Sequence, residues 1–198
     1  ALPTLASLSV DAEAININNG AVTTTGSQTY TGLVKLGADT VLTGSLITFN
    51  DTLAGSAHSL TINGNADFDS AISGLSALNI AGPTQMDGGA ITSTGSQIYQ
   101  GAVSLGANTT LTASDLTFND TVDGNFNLIL NATGTTTLNG AIGNTTPLAS
   151  LTTDAAGATI ISGGAITSTE DQTYHEALFL GADTILNAND VTFAATVD

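Results

Sequence analysis

Between residues 28 and 72 the chain carries Gln28-Thr29-Tyr30-Thr31-Gly32-Leu33-Val34, then Leu46-Ile47-Thr48-Phe49-Asn50-Asp51-Thr52-Leu53, then Asn65-Ala66-Asp67-Phe68-Asp69-Ser70-Ala71-Ile72. Each segment has an aromatic residue followed four positions later by an aliphatic one, and the three aromatics follow one another at an even 19-residue step. The pair returns at Tyr99/Val103, Phe118/Val122, Tyr174/Leu178 and Phe193/Val197, with Leu138/Ile142 as an aliphatic version. Seven of the nine aromatics in the chain belong to this pattern, so the 19-residue step is a structural period.

A longer repeat contains the short one. Leu5-Ala6-Ser7-Leu8 corresponds to Leu75-Ser76-Ala77-Leu78 and Leu148-Ala149-Ser150-Leu151. Gly20-Ala21-Val22-Thr23 returns as Gly89-Ala90-Ile91-Thr92 and Gly164-Ala165-Ile166-Thr167; Gln28-Thr29-Tyr30 returns as Gln97-Ile98-Tyr99 and Gln172-Thr173-Tyr174. From copy to copy the numbering of the markers shifts by between 69 and 75. They divide the chain into repeats 5–74, 75–147 and an incomplete 148–198, all within one continuous unit spanning 1–198. A chain beginning at Ala1 and stopping inside a repeat is expected to be a segment of a longer array.

The texture within each step is that of β-strands. Val41-Leu42-Thr43, Leu60-Thr61-Ile62 and Leu128-Ile129-Leu130 are rich in β-branched and large apolar residues, separated by Gly-Ala-Asp, Asn-Asp and Asn-Gly corners. No stretch sustains a helical period with caps. Two all-β folds compete. Tandem sandwiches of about 70 residues would need about seven antiparallel strands per repeat and give no reason for equally spaced aromatics. A parallel β-helix, or β-solenoid, stacks coils at about 4.8 Å, so residues one coil apart lie on top of one another. The period therefore predicts a parallel β-solenoid of about ten coils, a rod on the order of 48 Å long, with Tyr30, Phe49 and Phe68 as an aromatic ladder.

Composition removes other classes. The chain has 17 acidic side chains against one basic one, Lys35, for a formal charge of −16. Without Arg it cannot neutralise phosphates, which argues against nucleic acid, and it lacks the basic patches that anionic lipid attracts. It has no Cys, so neither disulfides nor thiolate metal sites are available. At 41% hydrophobic residues it is too apolar for a disordered chain, yet no apolar run is long enough for a membrane span.

The Leu36-Gly37-Ala38-Asp39-Thr40-Val41-Leu42-Thr43 and Thr117-Phe118-Asn119-Asp120-Thr121-Val122 motifs, with the Thr/Asn/Gly-rich 19-residue texture, resemble the repeat regions of filamentous-haemagglutinin-like bacterial adhesins. The resemblance covers the whole chain and rests on texture and period. It implies a right-handed β-helix, secreted or displayed on a bacterial cell surface, acting as a stalk or filament shaft without catalysis. The expected partners are neighbouring repeats of the same chain, end-to-end copies through the unpaired edges of an open solenoid or lateral ones, and a host or surface glycan, with neither nucleic acid nor membrane insertion.

Chemistry is to be expected where the repeat breaks. A polysaccharide lyase on a β-helix uses Arg or Lys as its base, and this chain has one Lys in all. A glycan-binding or hydrolytic β-helix is the alternative function, and it would require clustered carboxylates. Asp39/Asn108/Asp183 and Asp51/Asp120/Ala195 recur with the repeat and read as corners. Asp67 and Asp69, at i and i+2, have no counterpart near Leu138 and are the calcium candidates, supplying hard oxygen ligands; otherwise they form a solvated corner. Glu170-Asp171 and His175-Glu176 replace small or neutral residues and read as drift on an exposed face. His58 has no Ser-and-carboxylate setting for a triad. No catalytic or cofactor-binding residue is assigned, and Lys35 is expected to point outward. Thr23-Thr24-Thr25, Thr92-Ser93-Thr94 and Thr167-Ser168-Thr169 suggest an ice-binding hydroxyl array, but they recur too rarely for a lattice.

Overall fold

A computed structural model describes residues 4–198, so the first three residues of the expected 1–198 unit lie outside the described part. Among the described residues there is no helix, and all the strand pairings are parallel. The parallel pairing excludes tandem sandwiches, which are joined by antiparallel hairpins. The chain is a β-solenoid of about ten coils, each laying one segment on each of three faces.

On the first face Val10 pairs with Tyr30, Tyr30 with Phe49, Phe49 with Phe68, Phe68 with Met86 and Met86 with Leu105. The second face runs from Ile15 through Val34, Leu53, Ile72, Ile91 and Leu111 to Leu130. The third runs from Val22 through Leu42, Ile62, Ile80, Tyr99, Phe118 and Leu138 to Ile161. These side chains point inward and form one continuous core. Alternate residues point outward, as the pleat dictates: Lys35 is exposed between buried Val34 and Leu36.

The aromatic ladder is present. Tyr30 and Phe49 stack with centroids 5.2 Å apart and planes 14° from parallel, and Phe68 follows at 5.9 Å. Tyr99/Phe118 and Tyr174/Phe193 stack at 5.0 and 5.6 Å. Parallel stacking at one rung per coil forces this near face-to-face geometry, whereas free aromatic pairs prefer offset or edge-on contacts.

The three ladders lie on three different faces. Tyr30 is on the first face of the second coil, Tyr99 on the third face of the fifth, and Tyr174 on the second face of the ninth. Each step is eleven segments, or three coils and two faces, although the repeats differ in residue count. Corresponding residues of successive repeats are thus displaced by about 18 Å along the axis and rotated by a third of a turn. The extra residues of the longer repeat sit in corners: Ile142 pairs directly with Ile166, closing a coil longer than the usual 19-residue step.

Since any segment type fits any face, removal of one whole repeat should be tolerated. Deleting residues 75–147 joins Gly74 to Leu148, which inherits the place of Leu75. We expect a cooperatively folding β-protein whose maximum dimension in small-angle scattering falls by about 18 Å. Loss of cooperative melting in this variant would show that segment type is tied to a particular face.

Candidate functional site

Several of the acidic residues are corner fittings. Asp39 Oδ1 accepts the backbone N–H of Ser59 at 2.9 Å, one coil further on, and Asn108 Oδ1 accepts that of Asn127 at 3.0 Å. Asp115 accepts Thr135 N–H at 2.9 Å, and Asp123 accepts both Thr145 and Thr146 N–H at 2.8 and 3.0 Å. Asp51 and Asp120 each accept the N–H of the following Thr. A corner interrupts the inter-coil ladder and strands backbone donors, which a short carboxylate reaches. Of the repeat-registered positions, Asp39, Asn108, Asp51 and Asp120 each hold a corner N–H in this way, whereas Asp183 is exposed. The Ser59 hydrogen bonds hold Asp39 below the usual carboxylate range, with His58 a lesser contributor; that stabilisation is present above the unfolded pKa and lost as pH falls through the folded one. His58 Nδ1 lies 3.7 Å from Asp39 Oδ1, a carboxylate partner supplied from the preceding coil.

Asp67 and Asp69 do come together, and Asp87 from the next coil joins them, each carboxylate offering an oxygen within 4.8 Å of the others. Asp67 points outward from the first face, whereas Asp69 and Asp87 occupy the corner that follows. Gln85 Nε2 donates to Asp87 Oδ1 at 2.7 Å. Partial burial raises the Asp67 pKa, and the charges of Asp69 and Asp87 push it the same way. Three carboxylates are a hard-oxygen donor set suited to a divalent cation such as Ca²⁺, with the remaining positions left to water. Beside Asp67 lies a shallow cleft of about 210 Å³, lined by Leu46, Asn65, Pro83, Gln85 and Ser104 among others.

The remaining repeat-breaking residues divide. Glu170 and Asp171 are exposed, as expected for drift. Glu176 is not: it is only 5% exposed, and the expectation of an exposed face is corrected. Its Oε1 accepts the Thr159 hydroxyl at 2.5 Å, while Oε2 has no protein partner. At the corresponding Gly32 a Cβ would lie 1.7 Å from Ala12 O, and φ there is +122°. The corner beneath Glu176, residues 154–157, is longer and leaves room for a side chain. His175 is exposed, with Nδ1 2.6 Å from Thr153 O.

The Thr triplets make no common surface. Thr23, Thr92 and Thr167 fall on the third, second and first faces respectively. The middle residues Thr24, Ser93 and Ser168 are buried.

Those buried hydroxyls belong to an arrangement that sequence reasoning noted only as a marker. Gln28, Gln97 and Gln172 are completely buried, and each accepts the hydroxyl of the Tyr two residues later, at 2.7, 2.8 and 3.0 Å. Burial pushes the Tyr30 hydroxyl up to about 12 and those of Tyr99 and Tyr174 higher, so all three remain protonated donors. The available signal was a Thr or Ser four residues before every Gln-x-Tyr. Asp87 was missed although it stands just one coil on from Asp69.

Comparison of the chain with protein-family models, curated proteins and solved structures finds no match.

Asp67 gives a pH test. Its raised folded pKa means that the folded state binds more protons between the unfolded and folded values, so stability falls as pH rises through that window. Asp67→Asn should raise the melting temperature at pH 7 by about 1–2 °C, a small effect because the group is only partly buried and solvent screens its charge. The gain should vanish below the unfolded carboxylate pKa. Equal gains at pH 3 and pH 7 would show that charge is not the cause.

Proposed function

We propose that this chain is a non-catalytic shaft segment of an extracellular bacterial adhesin or surface fibre. The observation that carries this reading is the unbroken inward column on all three faces, with the repeat surface distributed around the rod and not gathered on one side. A stiff spacer needs each coil to be held by its neighbours, and an even surface suits a spacer better than a catalyst. The acidic charge would keep such rods apart by mutual repulsion, with divalent cations modulating their lateral or end-to-end association. Supporting details are the carboxylates tied to corner N–H groups and the single Lys, which leaves trypsin one cleavage position.

The alternative is glycan binding at the cleft beside Asp67. Asn65, Asp67, Gln85 and Ser104 offer hydrogen-bonding groups next to apolar Leu46 and Pro83. The two readings part experimentally. Electron microscopy of the chain and of a head-to-tail duplicate should show uniform rods, the duplicate about twice as long. New reducing ends on incubation with acidic or neutral polysaccharides, with or without Ca²⁺, would overturn the shaft. Glycan retention abolished by Asp67→Ala together with Gln85→Ala would favour the alternative.

Calcium is tested separately. If the three carboxylates hold Ca²⁺, millimolar Ca²⁺ should raise the melting temperature of the wild type and leave Asp67→Asn/Asp87→Asn unchanged. A wild-type melt unaffected by Ca²⁺ and chelator disposes of the site.

A further inference from the structure

The apolar rungs do not by themselves say which residue stacks on which. Inward positions are filled by Leu, Ile, Val and Phe interchangeably, and the chain accommodates several coil lengths. Phe68 pairs with Met86, Tyr30 with Phe49, Val122 with Ile142 and Ile142 with Ile166, each coil longer than the one before it in this series. A strand slipped by two residues would keep its apolar face inward. Something else must decide where the chain turns.

The buried Gln corner is built to do so. Gln28 Nε2 donates to Val22 O at 3.2 Å, Thr24 Oγ1 at 3.3 Å and Thr43 O at 2.9 Å. Gln97 Nε2 donates to Ile91 O, Ser93 Oγ and Thr112 O at 3.2, 3.2 and 2.9 Å. Gln172 Nε2 donates to Ile166 O, Ser168 Oγ and Asn187 O at 3.2, 3.2 and 3.1 Å. The partners thus stand six residues before, four before and fifteen after the Gln in every copy. The first lies on the preceding face, the second at the turn and the third on that preceding face one coil further on. The hydroxyl in turn donates to the carbonyl two residues on: Gly26, Gly95 or Glu170. The Gln amide reaches all three acceptors only if the turn falls between those residues and the next coil begins at that distance.

We propose that the Gln-x-Tyr corner, with the Thr or Ser four residues before Gln, is a register lock that selects once per repeat where the chain turns and which coil stacks on which. A slipped register would take the same buried Gln amide away from its carbonyl on the next coil, a penalty the apolar rungs do not impose, while the Tyr hydroxyl keeps its partner on its own strand. Buried polar groups acting this way trade little or no stability for a single arrangement. Because repeats advance by eleven segments, the three locks sit on three different faces, so each governs a different edge of the rod. The lock requires only the fold and holds whether or not the chain is a shaft.

The test removes one lock without opening a cavity. In the triple variant Ser93→Ala, Gln97→Leu, Tyr99→Phe, we expect a folded chain melting within a few degrees of the wild type. Its amide spectrum should show a second, slowly exchanging set of signals for residues 90–118. Cross-coil contacts of Ile98 should include partners other than Asn79 and Thr117, its partners in the native register. A single set of signals with native contacts, whatever the melting temperature, overturns the proposal and leaves the network a stabilising one only. Should the triple variant not fold, Gln97→Leu with Tyr99→Phe keeps Ser93 and the apolar ring and removes the amide bond to the next coil. It should raise the minor register about tenfold, and an unchanged population overturns the proposal equally.

Discussion

Among the described residues each coil pairs only with the coils directly before and after it, through parallel ladders about 4.8 Å apart. That constraint shapes the rest. A residue's neighbours are those one coil away, so an inward side chain must fit the one beneath it and an outward one must tolerate it. Hence aromatics stack on aromatics, with Tyr99 and Phe118 5.0 Å apart and 11° from parallel. Polar corner residues chain together in the same way: Asn119 Nδ2 donates to Gln100 Oε1, and Asn139 Nδ2 to Asn119 Oδ1. The core is thin, but burying one Leu, Ile or Phe at each rung contributes about 1.5–3 kcal/mol per side chain.

The same constraint governs the charge. An acidic side chain at a corner has a stranded N–H one coil away and is used to satisfy it, as Asp39 does for Ser59 and Asp115 for Thr135. Where carboxylates fall one coil apart on the same edge they face each other instead, as Asp69 and Asp87 do beside Asp67. Such corners contribute part of the −16 charge. The clustered trio is its least comfortable part, and the raised Asp67 pKa registers that discomfort.

Polar residues inside the rod follow from the geometry of turning. A three-sided coil needs a corner wherever one face ends, and an apolar corner specifies itself poorly. Gln28, Gln97 and Gln172 fill that place with a fully bonded amide and recur at identical offsets on different faces. Glu176 shows the opposite case, a carboxylate admitted by a longer corner below it and left with one oxygen unpartnered.

The amino-acid sequence by itself determined the period, the all-β character, the rungs and the ladders, because stacking writes a 19-residue spacing directly into Tyr30, Phe49 and Phe68. It also marked Asp39 and Asp51 as corners through their recurrence, and Lys35 as outward through its apolar neighbours. The fit of the repeat to the coil was decided only by the tertiary structure: eleven segments is a count of turns, and residue numbers hide it when corners differ in length. Asp87 beside Asp67, His58 beside Asp39 and the burial of Glu176 likewise depend on which corner lies above which. Those juxtapositions are set by closing each coil in three dimensions, and no local run of residues contains them.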